Sequence, residues 1–199
     1  MRALAILFVM ACSHSVPAPA QPSQPSQPSQ SVTPVTPSPH LTAAMAKLGF
    51  MRGVWRGPAS GMLPDGTRYA VTQTERMGPM LGGDIVVIEG RGYRDDGTTG
   101  FNAFAVVSWN PQASKYELRS YAQGQAGTFD LDLTPTGYTW HIPAGPEAII
   151  RFTATVTADH WREVGEYVAA GKPPVPTFEM NLTRVGDTDW PLVTPITPR

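Results

Sequence analysis

The strongest constraint on this chain is a period-two alternation that runs from Val54 to Val185 and is cut at short intervals by turn-forming residues. Phe129, Leu131 and Leu133 alternate with Asp130 and Asp132. Ile150, Phe152, Ala154 and Val156 alternate with Arg151, Thr153, Thr155 and Thr157. Phe178, Met180 and Leu182 alternate with Glu179, Asn181 and Thr183. Successive side chains of a strand point to opposite faces, so each run has one apolar face and one wet face. The breaks are Pro64-Asp65-Gly66, Met77-Gly78-Pro79, Asp95-Asp96-Gly97, Asn110-Pro111, Thr136-Gly137, Pro143 to Pro146, Ala158-Asp159 and Ala170 to Pro174. These residues preset or permit turn dihedrals. The pattern predicts strands near Val54–Ser60, Tyr69–Met77, Asp84–Tyr93, Asn102–Trp109, Lys115–Ala122, Thr128–Leu133, Tyr138–Ile142, Ala148–Thr157, His160–Val168 and Thr177–Val185.

Ten short strands with brief links and no long helix imply an all-β, up-and-down antiparallel barrel. One short helix precedes it. Leu41, Ala44, Met45 and Leu48 recur at helical spacing within His40 to Phe50, and Gly49 and Gly53 end the run. Ile85 to Ile88 and Phe104 to Val107 are apolar on both sides. Their outer faces therefore call for a cover, either the helix or a second copy in a homodimer.

The N-terminus reads as an address. Met1-Arg2 is a short positive segment and Ala3 to Ala11 an apolar run of nine. A membrane-spanning helix needs about 20 apolar residues, so residues 1–11 read as a signal peptide. Val9-Met10-Ala11-Cys12 resembles the lipobox of bacterial lipoproteins, which implies lipidation of Cys12. Ser13 next to it, rather than Asp, implies sorting to the outer membrane. The competing pattern is ordinary signal cleavage after Ala18-Pro19-Ala20, which would leave a soluble periplasmic or secreted domain. Residues 12–40 form a tether, with Pro-Ser-Gln repeated three times between Pro22 and Gln30. Its 28 residues from Cys12 to Pro39 span on the order of 80 Å if extended as polyproline II. The barrel domain then occupies residues 41–185, and 186–199 reads as an irregular Pro/Thr-rich tail.

Composition narrows the chemistry. A single cysteine rules out an internal disulfide and any multi-thiolate metal site. A formal net charge of −1 argues against nucleic acid as a partner, because that binding needs a basic surface to release counterions. No Gly-x-Ser-x-Gly elbow and no phosphate loop is present. No catalytic residues, cofactor or metal site are assigned on this reading.

Gly53-Val54-Trp55, opening the first strand after a short helix, resembles the Gly-x-Trp start of lipocalin-type (calycin) barrels. That resemblance implies that Trp55 and a late arginine, here Arg184, close one end of the barrel through a cation–π contact. A closer resemblance is to the bacterial domain of unknown function 1579 family, over about residues 48–185. It is carried by Leu48 to Trp55, Leu81-Gly82-Gly83, Ile88-Glu89-Gly90, Arg119-Ser120-Tyr121, Gly165-Glu166-Tyr167 and Phe178-Glu179-Met180. It implies the fold and no established activity. Nitrobindin-like haem barrels start the same way and use a histidine near the last strand. The last strand here has none, which leaves His141 and His160, and both are expected to face outward.

The ligand-binding candidates are Glu166, Arg119, Tyr121, Trp140, Trp161 and Tyr167. The aromatic residues suit the lining of a cavity, and an interior glutamate near Arg119 or Arg162 suits a polar ligand group. The other strand carboxylates, Glu75, Glu89, Glu117, Glu163 and Glu179, are expected to face solvent. Two functions follow. One is a membrane-anchored barrel that binds a small apolar or aromatic ligand. The other is a structural or interaction barrel with a filled interior. A haem-binding or acid–base enzyme is a minor third.

Overall fold

The computed structural model describes residues 38–63 and 65–191. The segments read as a signal peptide and, as far as residue 37, as a tether, together with Cys12 and the tail beyond residue 191, lie outside the described residues. The chain forms α1 (Pro39–Ala46), then β1 (Gly53–Met62), β2 (Arg68–Met80), β3 (Ile85–Tyr93), β4 (Thr99–Asn110) and β5 (Lys115–Ala122). It continues with β6 (Gln125–Thr134), β7 (Gly137–Pro143), β8 (Ala148–Val156), β9 (His160–Ala169) and β10 (Val175–Gly186). Each strand pairs antiparallel with its neighbours in sequence, and β1 also pairs with β10, so the ten strands close into a barrel. Closure gives every one of these strands a partner on both sides. All ten strands expected from the alternation are present.

One expected break is not a turn. Met77-Gly78-Pro79 belongs to β2, which pairs with β3 as far as Met80↔Ile85. The chain reverses one step later, through Leu81-Gly82-Gly83. Gly78 has a packing role. A Cβ there would stand 2.8 Å from Trp190 Cβ and 2.9 Å from Thr188 Oγ1. Residues 187–191 have no regular structure, yet they pack on the outside of the barrel. The Arg76 guanidinium lies 5.5 Å from the Trp190 ring centroid, and Phe104 lies 6.4 Å from the same ring. This segment, rather than α1, covers part of the apolar outer face of β2 to β4.

The helix closes an end of the barrel instead. Pro39 opens α1, where its missing N–H costs nothing. Ala44, Met45, Leu48 and Met51 are buried in the core. The Tyr116 hydroxyl of β5 donates to the Ala44 carbonyl at 2.7 Å, and Trp55 Nε1 donates to the Met51 carbonyl at 3.3 Å. The β2–β3, β4–β5, β6–β7 and β8–β9 turns lie at this closed end. The other five turns surround the open end, as the up-and-down order requires. Between β6 and β7 the ladder is short, running only from Leu131↔Trp140 to Thr134↔Gly137. The two strands therefore part toward the open end.

Candidate functional site

The barrel is not filled. A cavity of about 1190 Å³ runs from the open end to the floor above α1. Its volume comes from an unequal distribution of side chains. Gly90, Ala103, Ala105, Ser120, Ala122 and Gly127 put almost nothing into the interior on β3 to β6. The facing wall is aromatic. Trp140 stacks on Phe152 with centroids 4.3 Å apart, and Phe129 and Phe178 extend the row. Gly165 makes room for that row, since a Cβ there would stand 2.9 Å from a Phe152 ring carbon. Leu63, Tyr167 and Val175 form an exposed apolar rim at the mouth.

The floor carries the polar chemistry. Glu75 and Glu163 both line the cavity and are 8% and 6% exposed. Tyr138, Ala154 and Glu163 form one row across β7, β8 and β9. Ala154 is small, so the Tyr138 hydroxyl reaches over it and donates to Glu163 Oε2 at 2.7 Å. Trp140 Nε1 donates to the other oxygen at 3.4 Å. On β2, Gln73 Nε2 donates to Glu75 Oε1 at 2.7 Å. Glu75 opposes Gly90 in register, and a Cβ at Gly90 would lie 2.6 Å from that same oxygen. The glycine is what leaves space for the carboxyl.

Burial decides the protonation of this pair. Desolvation pushes the Glu75 carboxyl up to about 8; the Gln73 bond opposes this, and the charges of Glu163 and Glu89 add to it. Burial also pushes Glu163 up, against the bonds from Tyr138 and Trp140. Tyr138 is raised well above the usual phenol range, by burial first and then by the Glu163 charge. At neutral pH Glu75 is thus a neutral acid inside an apolar chamber. Trp161 is 2% exposed and its ring lines the cavity, while its Nε1–H is turned away from the open space and lies beside the Tyr138 hydroxyl, without a hydrogen bond of good geometry.

The residues chosen from sequence divide into two groups. Trp140, Trp161 and Tyr167 line the cavity. Arg119, Tyr121 and Glu166 do not, because they stand on the opposite parity and face outward. Arg119 pairs with Glu117 at 3.2 Å, and Glu166 pairs with Arg151 at 2.8 Å. Tyr121 is 56% exposed, and Arg162 pairs with Glu179 on the outer surface. Adjacent residues of a strand cannot both face inward, so an inward Tyr167 already places Glu166 outside. The same rule, applied from Trp161, puts Glu163 inside. For Glu75 the signal is weaker, since Thr72 to Arg76 is polar on both faces and only Tyr69, Val71 and Met77 further along the strand share its inward parity.

Trp55 is buried at the closed end, but its ring is met edge-on by Trp161 at 5.9 Å. Arg184 opposes Trp55 in register. Its guanidinium lies over Gly53 and binds Asp187, and the β1–β10 register slips between Val54 and Trp55. The cation–π contact present among the described residues is Arg76 on Trp190 instead. His141 and His160 are exposed. Among the described residues, no three of His, Cys, Asp and Glu gather to hold a metal ion.

Comparison with known proteins bears on the fold. No family model matches the chain, and no curated protein matches it. Among solved structures, that of Rv2717c from M. tuberculosis superposes with a TM-score of 0.54 at 13% sequence identity. The match covers 71% of this chain and 96% of the other. At that identity the likeness is one of architecture, and it agrees with a calycin-type barrel.

Proposed function

We propose that this chain is a binding barrel that takes one small, largely apolar molecule into its interior. The observation that carries the reading is the cavity: about 1190 Å³, walled by aromatic and small apolar side chains, with its polar groups gathered at the floor. Ligand sites of small molecules commonly have about 300–1,000 Å³, apolar walls and a few convergent polar groups. The apolar rim of Leu63, Tyr167 and Val175 suits a ligand that arrives from an apolar environment.

The lipobox and the tether support a membrane-held version of the same function. Lipid on Cys12 would keep the barrel within reach of a bilayer, and two or more acyl chains would hold it there stably. We read the whole as an outer-membrane lipoprotein that holds or passes on a lipid-like or aromatic molecule.

The test is extraction and displacement. Purified protein, extracted with chloroform and methanol, should release a small molecule visible by mass spectrometry. The emptied barrel should then bind a fluorescent apolar probe such as N-phenyl-1-naphthylamine in one-to-one ratio. If the extract is empty and the probe stays dark at micromolar protein, the barrel is not a ligand carrier.

A further inference from the structure

We propose that the floor of the cavity recognises a protonated amine, so that the ligand is a cationic amphiphile with its ammonium group between Glu75 and Glu163 and its apolar body toward the mouth. This deepens the reading of the cavity as a ligand site and rests on it. Two observations point to this chemistry.

The first is the sign of the lining. Glu75 and Glu163 are its only ionisable side chains besides tyrosines, and no Lys, Arg or His among the described residues faces the cavity. A carboxylate ligand would bring a further acid next to two buried acids, with no cation to meet it. An ammonium supplies the counter-charge the site lacks. The second is the surrounding π surface. Tyr138, Trp140 and Trp161 border the same floor, and aromatic rings attract a desolvated cation.

The proton balance is simple. One carboxyl gives its proton to water and pairs as a carboxylate with the ammonium, which keeps its own three protons. The groups that face Glu75 are Glu163 from β9 with Tyr138 from β7 behind it, and Glu89 acts from the outer face of β3. None is basic, so no internal cation competes with the ligand.

The experiment is displacement of N-phenyl-1-naphthylamine from the full chain at pH 7.5 by dodecylamine, dodecanol and dodecanoate. The three have the same apolar body and different heads. Dodecylamine should bind at least about tenfold tighter than dodecanol, with dodecanoate weakest. In Glu75→Gln/Glu163→Gln that advantage should shrink to within about threefold, because neutral amides cannot pair with a cation. The single variants Glu75→Gln and Glu163→Gln make the same comparison if the double variant does not fold. Alcohol or acid binding as tightly as the amine would overturn the proposal while leaving the cavity a ligand site. A probe that never binds would remove both readings.

Discussion

Replacing Glu75 with Gln should make the folded chain more stable at alkaline pH while changing little at pH 5. The carboxyl is wholly buried and titrates near 8 in the folded state, against an ordinary value of 4.5. A carboxyl whose folded pKa is raised favours the fold while it is protonated. The advantage is complete below pH 4.5 and is lost as pH rises toward 8, because the unfolded chain ionises more easily. The two pKa values give a loss of roughly 1 kcal/mol by pH 5, 3 by pH 7 and 5 by pH 9. Gln has the same shape, and its carbonyl oxygen still accepts the Gln73 bond. It removes the titration and little else.

Urea unfolding at pH 5, 7 and 9 measures this directly. Native and Glu75→Gln proteins should agree within about 1 kcal/mol at pH 5 and differ by about 4 at pH 9. A smaller residual slope should persist in the variant, because Glu163 is raised by the same burial. Glu166→Gln is the control. That carboxylate is paired with Arg151 on the outer face, so its loss should give no alkaline gain. Parallel pH profiles for native and Glu75→Gln proteins would refute the reasoning: water in the cavity would then be solvating the carboxyl as well as bulk solvent does.

The remaining predictions concern space, lipid and linkage. Gly57→Ala should cost several kcal/mol in urea, on the order of an overpacked core site or worse, because its Cβ would lie 2.0 Å from the Asn181 carbonyl oxygen. Ala103→Phe should fill part of the cavity and weaken probe binding by about tenfold or more, with the melting temperature held within a few degrees. Cys12→Ser should abolish incorporation of labelled palmitate and move the protein from the membrane fraction to the soluble one. Amine affinity should rise by up to about tenfold per unit between pH 6 and 8 and then level off, since binding releases a proton from a carboxyl titrating near 8.

What the sequence could disclose follows from the physics of a strand. A period of two records which face is wet, and in a closed barrel each strand has one inner and one outer face throughout. Ten strands could therefore be read from residues such as Phe129, Leu131 and Leu133 without any partner being known. The turn at Met77-Gly78-Pro79 was misleading for a related reason. Glycine there serves a neighbour distant in sequence, Trp190, and only tertiary packing reveals it.

The site follows the same division. Glu163 lies inside, against the expectation that it faces solvent, although an inward Trp161 or Tyr167 fixes its parity; by the same rule Glu166, adjacent to an inward tyrosine, lies outside. Glu75 was harder to read: Thr72 to Arg76 is polar on both faces, so only the flanking Val71 and Met77 fix its parity, and the residue that admits it, Gly90, is set against it only by the β2–β3 register. The cavity was hidden for the same reason: small residues on four successive strands look like weak strand formers until register lines them up on one wall. A buried pair of acids in an otherwise apolar chamber is costly to the fold and would be replaced by Leu or Met if stability were its only purpose. The two carboxyls are better explained by a ligand that carries the opposite charge than by the packing of an empty barrel.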